Sequence, residues 1–356
     1  MKKIYVYPHF RRNLPDRNPY IDNLCNNLNN YFDVPQSKRE SKISNLYDIS
    51  KYIFKVDIIF FNWVEVVPSG VWGFLKFLLY YLYVLIAKLR RIKIIYLVHD
   101  KQTHQKLGIN SKFNTYLSKL IAKDIIRRSN LLFTHSTEGL DIIKSQKPDA
   151  NAFFYHHPFN DTQISMDDFC NRAVYKKYDI LIWGAIRPYK GVYEFLSYLR
   201  DKNLLSLYNI KIVGKIYSNE DRIRLPQIIK DYLNIELEDR SVSTNELQKL
   251  TDSAKTVLFT YKDDTVLSSG VLMDTLMNGA TIVGSNCGAF KDLGREGIIF
   301  SYKDYSQMME ILDDIITNNK YIDKRLIYDF IQKNSWNNFV KEIYFKINLF
   351  QWNWHI

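Results

Sequence analysis

Short β-rich apolar runs alternate with longer helical runs along almost the whole chain, and this alternation restricts the fold more than any other feature. A strand followed by a helix and then by another strand must cross over to pair in parallel, so the pattern predicts an α/β protein of helix-covered parallel sheets. One series of strands is expected at 3–7, 57–62, 93–98 and 131–135. A second, after His156-His157-Pro158, is expected at 179–183, 210–213, 256–260, 280–284 and 297–300. A chain of 356 residues has room for two such cores. The expectation is two Rossmann-like, doubly wound domains facing across a cleft: 1–157, completed by a terminal helix from 338 to 356, and 158–337.

The net charge of +11 is unevenly spread. Residues 1–150 carry 24 basic and 12 acidic side chains, whereas the remainder carries 25 and 26. A basic first half suits an anionic surface or substrate, and the neutral second half is left for a different task. Nucleic acid is a poor candidate partner, because the sequence offers no recognition helix or aromatic RNA signature. Cys25, Cys170 and Cys287 lie far apart, which predicts a reducing compartment and no disulfide framework. The opening Met1-Lys2-Lys3 and the short apolar segment after it do not form a signal peptide, so a cytoplasmic location is expected.

Residues 71–87, VWGFLKFLLYYLYVLIA, are apolar apart from Lys76 and lead into Lys88, Arg90, Arg91 and Lys93. The stretch is shorter than the roughly 20 apolar residues a spanning helix needs. Its Trp and Tyr content and basic trailing edge suit a helix lying in the headgroup region. A crossover helix packed on a sheet and a true span are the alternatives. Ser69, following Pro68, is the expected N-cap. Further on, Lys112, Lys119, Lys123 and Arg127 are spaced to form a basic face on a helix at 111–128.

Two stretches carry chemistry. GAIRPYKG, residues 184–191, joins an apolar strand to a helix, so its turn places backbone N–H groups where an anion can sit. Arg187 and Lys190, three apart, are expected to point into that turn as a planar fork and a point charge suited to a diphosphate. In the second stretch, 267–290, Ser268, Ser269 and Gly270 precede an apolar helix and form another phosphate cradle. Asp274, one turn in, is expected to be a buried carboxylate that accepts hydrogen bonds from sugar hydroxyls.

These residues resemble the GT-B glycosyltransferases of the large bacterial, nucleotide-sugar-dependent group that builds surface polysaccharides, family 4-like in character. The turn G-x-x-x-x-x-K-G is similar to Gly184, Arg187, Lys190 and Gly191, and an acidic residue five before a glycine is similar to Asp274 and Gly279. Tyr261, His156-His157-Pro158, Ser335-Trp336, the segment 18–24 and Val98-His99-Asp100 add to the likeness. Val266 stands where the group often has a first glutamate, and 9–20 replaces its glycine-rich loop.

The resemblance implies transfer of a hexose-type sugar from a UDP- or GDP-linked donor to a lipid-linked or oligosaccharide acceptor at the inner membrane face. It implies no metal and no cofactor besides the nucleotide-sugar substrate. Gly184, Arg187, Lys190, Tyr261, Ser268, Ser269, Gly270 and Asp274 are the expected donor contacts. Asp100, His99, His104 and Glu65 are the candidate bases for an inverting reaction. A nucleotide-sugar epimerase or a phosphorylase of the same fold is the alternative enzyme.

Overall fold

A computed structural model describes residues 1–8, 19–35, 45–101, 111–160, 164–172, 175–262 and 267–350. The chain divides into two compact units, Met1–Asn160 with Asn334–Ile356, and Asp161–Lys333.

The first unit holds five parallel strands in sequential order: β1 (Ile4–Tyr7), β2 (Ile58–Asn62), β3 (Lys93–Val98), β4 (Leu131–Thr134) and β5 (Ala152–Phe154). Every position of β1, β2 and β4 is buried, since helices cover both faces of the sheet; such strands read as unbroken apolar runs. On one face Ile4, Val6, Phe60, Leu97 and Phe133 share a core with α1 (Pro19–Leu28) and with Trp336, Phe339 and Ile343 of the last helix, Trp336–Leu349. On the other, Tyr5 stacks on Tyr52 of α2 (Asn45–Tyr52), while α3 (Gly73–Leu89) and α4 (Ser111–Arg128) pack along β3.

The start of α3 differs from expectation. Trp72 occupies the N-cap, with no side-chain cap bond, and Ser69 does not cap the helix. Instead the Ser69 carbonyl accepts a hydrogen bond from Lys76 Nζ at 2.9 Å. A side chain at Gly73 would collide with Asn114 of α4 and with the Pro68 carbonyl, so a glycine starts the helix where α4 approaches closely.

The second unit is a six-stranded parallel sheet: β6 (Tyr178–Trp183), β7 (Ile210–Val213), β8 (Ile235–Glu238), β9 (Ala254–Phe259), β10 (Ile282–Ser285) and β11 (Phe300–Tyr302), ordered β11-β10-β9-β6-β7-β8. The chain steps outward from β6 to β8 and then returns to β9 on the other side. The order of connections therefore reverses between β6 and β9, a switch point whose carboxyl end is the usual ligand position in such sheets.

Strands β5 and β8 were not expected from sequence. The β8 run Ile-Glu-Leu-Glu is short and half charged, because Glu236 and Glu238 hold Lys211 of β7. β11 begins at Phe300, not 297, because Gly297, at φ +72°, still belongs to the preceding turn.

Candidate functional site

The turns beyond the carboxyl ends of β6 and β7 are built on glycines. After β6, Gly184 turns at φ +94°, and the chain passes through one 3-10 turn at Pro188–Lys190 to Gly191 at φ +66°, which opens the helix Val192–Asp201. A side chain at Gly191 would strike the Thr260 carbonyl, and one at Gly214, after β7, would strike the Gly184 carbonyl. Only bare backbone allows the ends of β6, β7 and β9 to come this close. Thr260 fastens the turn by donating its hydroxyl to the Lys190 carbonyl.

Lys190 is buried, with its ammonium 5.1 Å from the centre of the Tyr261 ring. No carboxylate among the described residues pairs with it. Arg187 corrects the expectation of two cations sharing the turn: it is exposed and lies over Tyr217, with Cζ 4.1 Å from the ring centre. The contact is a cation–π pair that holds the guanidinium beside the loop after β7.

Across from the turn, Val271 lies 3.2 Å from where a Cβ on Gly184 would stand, which brings the helix Gly270–Met277 to the same place. Thr275 anchors that helix by accepting from Trp183 Nε1 at 2.8 Å. Ser269 is the N-cap residue, but its hydroxyl caps nothing and lies 3.4 Å from the Tyr261 hydroxyl. Ser268 is half-buried just before it. Among the described residues a Cβ on Gly270 would meet nothing within 4 Å, so the helix terminus is open on that side. Asp274 is exposed, not buried as expected, yet neighbouring protein strips enough hydration to push its carboxyl up to about 6.

The structure thus brings Gly184, Lys190, Tyr261, Ser269 and Gly270 together, with Arg187 over Tyr217 and Asp274 one helical turn on. Sequence reasoning missed Gly214, Tyr217 and Thr260. Gly214-Lys215-Ile216-Tyr217 directly follows β7, so the glycine at a strand end was the available signal.

In the first unit the carboxyl ends of the strands carry a different assembly. Tyr20 is buried edge-on against Trp63, His99, His135, His157 and Trp336. The His135 ring is saturated: Nδ1 meets the Tyr155 carbonyl at 2.8 Å and so carries the proton, and Nε2 accepts from the Tyr20 hydroxyl at 2.7 Å. His99 stacks on Trp63 with ring centres 3.9 Å apart, and its Nε2 lies 3.0 Å from Asn62 Oδ1. Asn62 in turn donates to the Tyr7 carbonyl, which fixes its amide and makes His99 Nε2 the donor. Burial, helped by the neighbouring histidines, holds both rings well below the usual imidazole range and therefore neutral.

Glu65 and Asp100 form an acidic pair nearby. Burial pushes Glu65 up to about 7 against the opposing hydrogen bonds of its own backbone and the Tyr96 hydroxyl (2.9 Å), with the charge of Asp100 adding to the rise. Asp100, half-buried, is pushed up to about 6 by lost hydration. Of the candidate bases, Asp100 is the more accessible, Glu65 and His99 are buried, and His104 lies outside the described residues. Among the described residues no group of three His, Cys, Asp or Glu side chains could hold a metal ion.

No protein-family model matches the chain, and no curated protein does either. Solved structures do match. The chain is similar to HepE of Anabaena, solved with UDP and glucose, at TM-score 0.62 and 10% identity over 98% of this chain and 100% of that one. It is similar to a sucrose-phosphate synthase from Thermosynechococcus elongatus at TM-score 0.66 and 10% identity, over 98% and 99%. An α-glucosyltransferase in complex with UDP and a 13-mer DNA matches at TM-score 0.58 and 13% identity, over 97% and 99%. The fold is the GT-B fold of two Rossmann-like parallel-sheet domains.

Proposed function

We propose that the protein is a glycosyltransferase that moves a hexose-type sugar from a nucleotide-sugar donor, UDP-linked in the first instance, to a lipid-linked or oligosaccharide acceptor in surface-polysaccharide synthesis. The observation that supports this reading is the buried Lys190 at the β6–β9 switch point, which pairs with no carboxylate among the described residues and lies near the N-terminus of the helix Gly270–Met277. A departing nucleoside diphosphate carries two to three negative charges in the transition state. Lys190, Arg187 and the first N–H groups of the helix Gly270–Met277 supply the compensating field without a metal. UDP is favoured over GDP because HepE and the α-glucosyltransferase were solved with UDP. Asp274 accepts hydrogen bonds from donor hydroxyls. If configuration inverts, Asp100 takes the acceptor proton, its carboxyl being accessible and poised near neutrality. The enzyme works peripherally, with its basic first unit docked on the inner face of the cell membrane.

The test is turnover of a panel of UDP- and GDP-sugars with a lipid-linked saccharide, with and without EDTA, and with the product's anomeric configuration read by NMR. Acceptor-dependent release of UDP that persists in EDTA is expected. Nucleotide-sugar conversion without any acceptor would point instead to the epimerase alternative.

A further inference from the structure

The exposed side of α3 is a continuous apolar face. Val71, just before the helix, and Leu75, Leu78, Leu82, Leu85 and Leu89 along it are each 48–75% exposed, at alternating spacings of four and three. Phe74 is exposed beside them, and Phe77, Leu79 and Ile86 at the flanks are partly exposed. Lys76, which interrupts the stretch in sequence, does not interrupt this face: its ammonium is turned back onto the Ser69 carbonyl.

A two-helix seam would show the same spacing, but charged side chains would flank a narrow stripe. Here the apolar face spans about half the helix circumference and meets no charge before Lys88. Cations gather at its borders. Arg90, Arg91 and Lys93 follow its carboxyl end and, with Lys2 and Asp57, line a pocket of about 460 Å³. Arg90 sits over Phe54, itself 58% exposed. Alongside, α4 packs on α3, with the Phe74 and Phe113 rings 6.2 Å apart, and exposes Lys112, Lys119, Lys123 and Arg127 as a basic row. No helix among the described residues is long and apolar enough to cross a membrane.

Resting on the peripheral-membrane reading above, we propose that α3 lies in the plane of an anionic bilayer with its leucine face immersed, that the α4 row faces the same leaflet, and that the pocket of Arg90, Arg91 and Lys93 holds the phosphate of one anionic lipid headgroup. An in-plane helix with an apolar face and a cationic border gains from both acyl burial and the leaflet's negative potential.

Co-flotation of the full chain with vesicles of phosphatidylcholine alone, or mixed with phosphatidylglycerol, tests each part. The wild type should favour the mixed vesicles by at least about tenfold, with high salt reducing but not abolishing binding. Leu78→Glu with Leu82→Glu should abolish flotation on both compositions while circular dichroism and UDP binding stay as in wild type. Arg91→Ser with Lys93→Ser should keep flotation but lose most of the preference for phosphatidylglycerol, and do so more than Lys119→Ser with Lys123→Ser. Unchanged preference in the Arg91/Lys93 variant would overturn the headgroup pocket and leave docking standing. Unchanged flotation of the α3 variant, or no flotation of the wild type, would overturn docking itself. A wild-type dimer in light scattering that the α3 variant converts to monomer would assign the face to a second copy of this chain.

Discussion

The carboxyl edges of the two sheets solve different problems with different materials. In the second unit, glycines let backbone segments approach closely, and the buried cation Lys190 pairs with no carboxylate among the described residues. In the first, the corresponding edge is packed with rings, and each histidine nitrogen that the network uses has a defined donor or acceptor. An edge with an unsatisfied charge is prepared for a ligand of opposite charge, whereas a saturated edge is a scaffold that positions the few groups left accessible, here Asp100 above all.

Tyr20 is the centre of the packed edge in the first unit. Tyr20→Ala removes the ring on which five aromatic side chains converge and should destabilise the first unit by about 3–5 kcal/mol. UDP affinity measured below the new melting transition should stay at the wild-type value, since none of the proposed nucleotide-binding groups belongs to that cluster.

Glu65→Gln comes next. A buried carboxyl that titrates near 7 in the folded chain and about 4.5 in the unfolded one is ionised first in the unfolded state. Its contribution therefore turns unfavourable as pH rises from the lower value through the upper. The variant should gain on the wild type over that window, by up to about 3 kcal/mol above pH 7, read as the difference between two denaturation series. The buried histidines act in the opposite sense, costing stability as pH falls below about 6.5, but they cancel in that difference.

Gly191→Ala should act on the other edge. The left-handed backbone and the approach of the Thr260 carbonyl together should cost about 2–3 kcal/mol, and UDP affinity should fall with the displaced turn. The smallest expected effect is that of Asp274→Asn, which keeps shape but loses a charged acceptor. Donor-sugar binding should weaken by about 1.5 kcal/mol with UDP binding unchanged.

The same contrast explains what was legible in the sequence. The glycine turn, Lys190, Tyr261 and the start of the helix Gly270–Met277 are local patterns, each written in consecutive residues at a strand end. Most strands were equally plain because both sheet faces are covered and the runs are apolar. β8 was hidden by its glutamates, which pair with a lysine on the neighbouring strand. Tyr20 and His135 are 115 positions apart, and the Asn62 to His99 bond spans 37, so nothing local announces either. The orientation of Arg187 was misjudged for the same reason. Tyr217, over which it lies, belongs to another segment.

In the proposed donor site, Lys190 is the buried charge that meets the diphosphate. Titration calorimetry of UDP against the wild type, Lys190→Ala and Arg187→Ala tests it directly. Loss of the buried ammonium should weaken UDP by about 2–3 kcal/mol, or more than tenfold, with a smaller loss for the exposed Arg187 and unchanged affinity for uridine. Equal UDP affinity in Lys190→Ala and wild type, with the fold intact, would contradict the account.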